Sequence, residues 1–121
     1  MKNLVAFFEI PAENFERAVK FYETVLGVQL SAVCDCETEK MAFFPENGLP
    51  GAVSWTKDFC PSKDGVLIHF QVDDMENVMD TIEKNGGKIV RQKTKIEADG
   101  WGYFALFIDS EGNRVGLYSD K

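Results

Sequence analysis

Apolar positions along this chain change their spacing in a fixed order, and the order occurs twice. Val5, Ala6, Phe7, Phe8 and Ile10 form a short run rich in β-formers, which predicts a strand over 5–10. Pro11 ends the run, and Asn14 is well suited to cap a helix. Phe15, Ala18, Val19, Tyr22, Val25 and Leu26 then recur at helical spacing with charges between them. Gly27 is placed to stop that helix in the left-handed conformation. Strands are predicted over 28–33, 40–44 and 51–55, with Pro45-Glu46-Asn47-Gly48 as the turn between the last two. From Gly65 the order repeats. A strand over 66–72 leads to Asp74, which caps a helix carrying Met75, Val78, Met79 and Ile82. Gly86-Gly87 stops it, and strands follow over 88–92, 103–108 and 114–118. Asp109-Ser110-Glu111-Gly112-Asn113 makes the turn between the last two.

At an offset of 60, Phe7 falls on Leu67, Ala12 on Val72, Asn14 on Asp74 and Gly27 on Gly87. Repetition on this scale shapes the fold before any single residue does. Each half reads βαβββ. Neither half can cover its sheet on both faces. The expected fold class is therefore α+β: two βαβββ modules joined into one cupped mixed sheet, with the helices on the outer face and a curved inner face left open. The expected organisation is a single domain over 1–121. Module 1 covers about 1–56, a linker holding Pro61 covers about 57–64, and module 2 covers about 65–121.

Composition narrows the partners more than the chemistry. A chain of 121 residues can bury a core without disulfides or metals. Its net charge of −7 argues against nucleic acid and anionic membranes, which are bound chiefly through Lys and Arg. No leader pattern is present and no apolar run is long enough to span a bilayer, so the expected location is the cytoplasm. The three cysteines, Cys34, Cys36 and Cys60, fit a reducing compartment. Cys34-Asp35-Cys36 puts two thiols on one strand face but lacks the C-x-x-C spacing of a metal or redox pair, and it reads as plain reduced thiols. There is no G-x-G-x-x-G, P-loop, G-x-S-x-G or H-E-x-x-H motif. Glu37 with Glu39, and Asp73 with Asp74, read as solvated turns and a helix start.

Three segments carry a resemblance to a known family: FEIPAENFERAVKFYETVLG at 8–27, FQVDDMENVMDTIEKNGGKIV at 70–90, and GYFALFIDSEGNRVGLY at 102–118. The paired modules resemble the vicinal oxygen chelate superfamily, which includes glyoxalase I, bleomycin-resistance proteins, fosfomycin-resistance proteins and extradiol dioxygenases. The small glyoxalase-related proteins are the nearest subgroup. In its metal-using members four ligands line the inner face. The first strand of each module supplies one, and the last strand supplies another. The resemblance puts these positions at Phe7, Leu67 and Gly116, with the fourth near Ala52, or at Ser54 if the alignment slips by two. Divalent metals need carboxylate, imidazole or thiolate donors, and Phe7, Leu67, Gly116 and Ala52 offer none. No metal and no cofactor is expected. The resemblance then implies the bleomycin-resistance way of using the cavity, which binds a ligand without a metal, and it implies a homodimer.

Strand parity gives the inner face. If Phe7 and Leu67 point inward, so do Glu9, His69 and Gln71, while Phe8, Ile10, Ile68, Phe70 and Val72 point at the helices. Gly116 brings Tyr118 inward. His69, the only histidine, can act as a general acid or base near neutral pH, and Glu9 is its equivalent in the other module. The competing reading is that both are satisfied by structural hydrogen bonds. Trp55, Trp101, Tyr103 and Phe44 fall near strand ends, where they can stack on a planar ligand or pack in the core. Phe44 is assigned to the core, and the Asp109–Asn113 turn to structure.

The candidate ligand-binding residues are thus Phe7, Trp55, Leu67, Trp101, Tyr103, Gly116 and Tyr118, with Glu9 and His69 as candidate catalytic groups. The functional expectation is a protein that binds a small organic ligand in a cleft. The alternative is a lyase or isomerase of the glyoxalase I type, acting on a small carbonyl or thiol-adduct substrate. A third reading is an interaction module whose cleft Phe7 and Leu67 fill.

Overall fold

The computed structural model describes residues 4–46 and 48–121; Asn47, within the expected 45–48 turn, and the side chain of Cys34 lie outside the described set. The chain divides into two compact units, Met1–Pro61 and Ser62–Lys121. The first unit runs β1 (Phe8–Pro11), α1 (Phe15–Leu26), β2 (Ser31–Asp35), β3 (Glu39–Phe43) and β4 (Gly51–Thr56). The second runs β5 (His69–Gln71), α2 (Met75–Lys84), β6 (Lys88–Lys95), β7 (Tyr103–Ile108) and β8 (Arg114–Ser119). Both are βαβββ. The strands hydrogen-bond as two four-stranded sheets, ordered β1-β4-β3-β2 and β5-β8-β7-β6. In each, the first strand lies parallel to the last and the other neighbours are antiparallel.

Local chemistry sets the helix limits. The Asn14 side chain accepts a hydrogen bond from Arg17 N at 3.0 Å, and the Asp74 side chain accepts one from Asn77 N at 3.2 Å. Each satisfies a backbone N–H that the first helical turn leaves unpaired. Gly27 ends α1 at φ 66°, a conformation cheap only for glycine. The cap of α2 is Asn85, and Gly86 follows at φ 95°.

The strands differ from expectation mainly at their starts. β1 begins at Phe8 rather than Val5, and β5 at His69 rather than Val66. Val66 is 95% exposed, so its apolar character does not reflect pairing. Pro11 ends β1 as its last paired residue. The strand pairs only with β4, and an edge tolerates a residue without an N–H. β2 begins at Ser31 because the preceding residues are tied to the helix end: Val28 N donates to Glu23 O at 3.2 Å and Leu30 N donates to the Glu23 carboxylate at 2.9 Å. β6 runs on to Lys95 through two irregularities in its register.

Each core lies between one helix and one face of its own sheet. In the first unit Ile10, Ala42 and Val53 are buried together across three strands, and Tyr22 of α1 meets Phe44 edge-on at 5.7 Å. Phe44 stacks in turn on Phe8, consistent with its assignment to the core. In the second unit Met75, Ile82, Ala105, Phe107 and Leu117 are fully buried. The 109–113 turn is held by a buried carboxylate. Asp109 accepts from Glu111 N and Asn113 N, both at 2.9 Å, and from Asn113 Nδ2 at 3.0 Å. Asn113 Oδ1 accepts from Ser62 N at 3.0 Å, which ties residue 62 to the turn. Replacing Asp109 by Ala leaves those donors unpaired in a buried place. It is expected to lower stability by about 3 kcal/mol, read as a shift of the urea midpoint. An unchanged midpoint would mean that the carboxylate does not hold the turn.

Candidate functional site

The register shows which residues share a face. In the first sheet Glu9 lies opposite Ala52, and in the second His69 lies opposite Gly116. Ala12 N donates to Ser54 O, and Val72 N donates to Tyr118 O, both at 2.8 Å. Ala52 is therefore the structural equivalent of Gly116, and Ser54 that of Tyr118. Of the two candidates for the fourth position, Ala52 is thus the one that matches Gly116 in register.

On the helix-free face of the first sheet, Glu9 Oε1 accepts from Ser54 Oγ at 2.7 Å, and Ser54 is almost fully buried. Phe7, half exposed, meets Phe43 with ring centroids 6.3 Å apart. Trp55 lies on the other face. It sits opposite Lys40, whose ammonium is 5.9 Å from the indole centroid and 3.6 Å from the Glu16 carboxylate of α1. Trp55 is thus set apart from Phe7 and Glu9.

The helix-free face of the second sheet gathers more of the expected residues. The exposed His69 ring lies over Gly116 so closely that a Cβ there would overlap it. Its centroid is 6.4 Å from that of Phe104. The Arg91 guanidinium is 5.4 Å from the Phe104 centroid. Tyr118 lies opposite both Phe104 and Gln71, and Trp101 meets it edge-on at 5.6 Å. The Tyr118 hydroxyl accepts from Gly102 N at 3.0 Å and donates to Asp120 Oδ1 at 3.1 Å. Tyr103 is on the helix side, with Lys93 and Lys95 at 4.8 and 5.5 Å from its ring. Lys93 also bonds Glu76 of α2 at 3.0 Å. Leu67 lies just before β5 and lines a cleft with Val66 and Arg114.

The structure therefore brings together His69, Gly116, Tyr118 and Trp101, and adds Phe104 and Arg91, which the sequence reading did not name. A signal for Phe104 was present. Asp109 N donates to Asn113 O, and pairing counted outward from that contact puts Phe104, not Tyr103, opposite Tyr118.

The model for the Glyoxalase/Bleomycin resistance protein/Dioxygenase superfamily matches residues 4–117. The chain belongs to this superfamily. A glyoxylase-like domain-containing protein from Didymella fabae is 31% identical over 115 residues, which cover 90% of this chain and 88% of that protein. Among solved structures, a glyoxalase/bleomycin resistance protein/dioxygenase family enzyme from Burkholderia phytofirmans aligns with TM-score 0.71 at 14% identity, covering 96% of this chain and 98% of the other. The fosfomycin resistance protein of Listeria monocytogenes aligns with TM-score 0.71 at 13% identity, covering 100% and 94%. A glyoxalase I mutant from Zea mays aligns with TM-score 0.66 at 20% identity, covering 95% of this chain and 46% of that one. At these identities the likeness is one of fold.

The superfamily's metal can be tested against the donors present. Phe7, Ala52, Leu67 and Gly116 carry no donor atom, and among the described residues no three His, Cys, Asp or Glu side chains converge on one point. The residues do not fit the divalent ion that the resemblance describes.

Desolvation holds the His69 imidazole below its ordinary pKa of 6.5. As pH falls through 6.5, the unfolded chain takes up the proton before the folded one. The associated stability is present above 6.5 and is lost as pH falls from there towards the folded value. Glu76, paired with Lys93, titrates below its ordinary 4.5 and so lies outside this window. Thermal midpoints between pH 7.5 and 5 are expected to fall, and His69→Gln should flatten that part of the curve. Equal slopes for both proteins would contradict the assignment.

Proposed function

We propose that this chain binds a small organic ligand on the helix-free face of its second sheet, over His69 and the row Phe104, Tyr118 and Trp101, without a divalent metal. The observation that carries the reading is the Gly116 position. Where the superfamily's metal users project a ligand, this chain has no side chain, and the His69 ring lies across the gap. The surroundings support it: the exposed Trp101 ring, the half-buried Phe104 and Tyr118 rings, one guanidinium and a neutral imidazole suit a planar or apolar ligand. A cytoplasmic location and a homodimer belong to the same reading.

Two measurements test it. Elemental analysis of purified protein is expected to show Ni, Zn and Mn well below one equivalent; one equivalent of any of them would overturn the reading. The neutral aromatic probe N-phenyl-1-naphthylamine is expected to bind, and Trp101→Ala to weaken it about threefold to tenfold.

A second reading, a lyase or isomerase of the glyoxalase I type, is favoured by one observation. His69 is exposed, and its lowered pKa keeps it a free base at neutral pH, as proton abstraction requires. Glyoxalase assays with and without added Ni, Zn or Mn separate the two. Turnover abolished by His69→Gln would establish the enzyme.

A further inference from the structure

A preformed cleft at the start of β8 extends the same face. Its volume is about 160 Å³, and it is lined by Ser62, Lys63, Asp64, Gly65, Val66, Leu67 and Arg114. The loop around it is pinned at several points. Arg114 N donates to Ser62 O at 3.3 Å, and Ser62 N donates to Asn113 Oδ1 at 3.0 Å. Ser62 Oγ accepts from Asp64 N at 3.0 Å and donates to Asp64 O at 2.9 Å. A loop held this way needs little ordering when something binds.

The charge in the cleft is uncommitted. Lys40, Lys84 and Lys93 each have a carboxylate partner. Among the described residues, the Lys63 ammonium and the Arg114 guanidinium have none. Two cations face one carboxylate, Asp64, and Val66 and Leu67 supply apolar surface beside them. Arg114, Gly116 and Tyr118 alternate along β8 and so share one face. From Arg114 to Tyr118 the strand rises roughly 13 Å.

We infer that this face takes an amphipathic organic anion. A carboxylate, sulfonate or phosphonate group sits between Arg114 and Lys63, and a planar apolar body lies over His69, Phe104 and Tyr118. The inference rests on the binding reading above and names its ligand class. A guanidinium holds an oxyanion through paired N–H donors, and the aromatic row holds the body by stacking.

A matched pair of probes tests it. 1-Anilinonaphthalene-8-sulfonate and N-phenyl-1-naphthylamine share one ring system and differ by the sulfonate. Their affinities are measured by fluorescence titration at low salt. The sulfonate is expected to bind at least about tenfold tighter, and added salt to weaken only the sulfonate. Arg114→Gln should cost the sulfonate about tenfold and leave the neutral probe within about twofold. Lys63→Gln lies in an exposed loop and should act in the same direction, which keeps the test open if Arg114→Gln does not fold. Equal affinity for both probes, or unchanged sulfonate binding in the folded variants, overturns the inference and leaves the binding reading standing. Binding of neither probe overturns both.

Discussion

Ala12 N–H donates to Ser54 O, and Val72 N–H donates to Tyr118 O, each at 2.8 Å. These bonds close the parallel contact between the first and last strands of each half. Parallel neighbours cannot be joined by a hairpin, so the chain must leave the sheet and return. The helix and the two intervening strands are that return path. Because the helix packs on one face, the other face of each sheet is left without a helix. The buried apolar side chains, the register that sets Gly116 beneath His69, and the aromatic row on the helix-free face all follow from this closure.

What occupies the helix-free faces differs between the halves. Glu9 is engaged with Ser54 inside its own sheet. His69, its equivalent, has a glycine across the strand and rests its ring there. The same scaffold position thus carries a carboxylate tied down by a hydroxyl in one half and an exposed imidazole in the other. The repeated fold sets the address, and the cross-strand neighbour sets the chemistry.

The helices were legible in the sequence almost to the residue, because Asn14, Asp74 and Gly27 each act through one local backbone contact. The strand starts were less so. Val5 and Val66 read as β-formers, but a strand exists only where a neighbour supplies hydrogen bonds, and that depends on chain brought in from elsewhere. Faces were legible where parity could be counted from a secure point: Glu9 and His69 fall where the alternation puts them. Trp55 and Tyr103 were assigned from their place at strand ends rather than from register. Each proves to stand beside a lysine that reaches its helix. Phe104 went unnamed for the same reason, although the turn at Asp109 fixes its partner. The Arg114 cleft was not legible at all, since it arises where residues 62–67 fold back on β8.

The hydroxyl of Tyr118 is held between Gly102 N and the Asp120 carboxylate. Both its donor and one of its acceptor sites are spent at the margin of the sheet. What remains is the flat face of the ring and one lone pair on the oxygen, with no proton to give. A molecule laid on that ring would meet a π-surface and a single acceptor lone pair, and no donor from Tyr118.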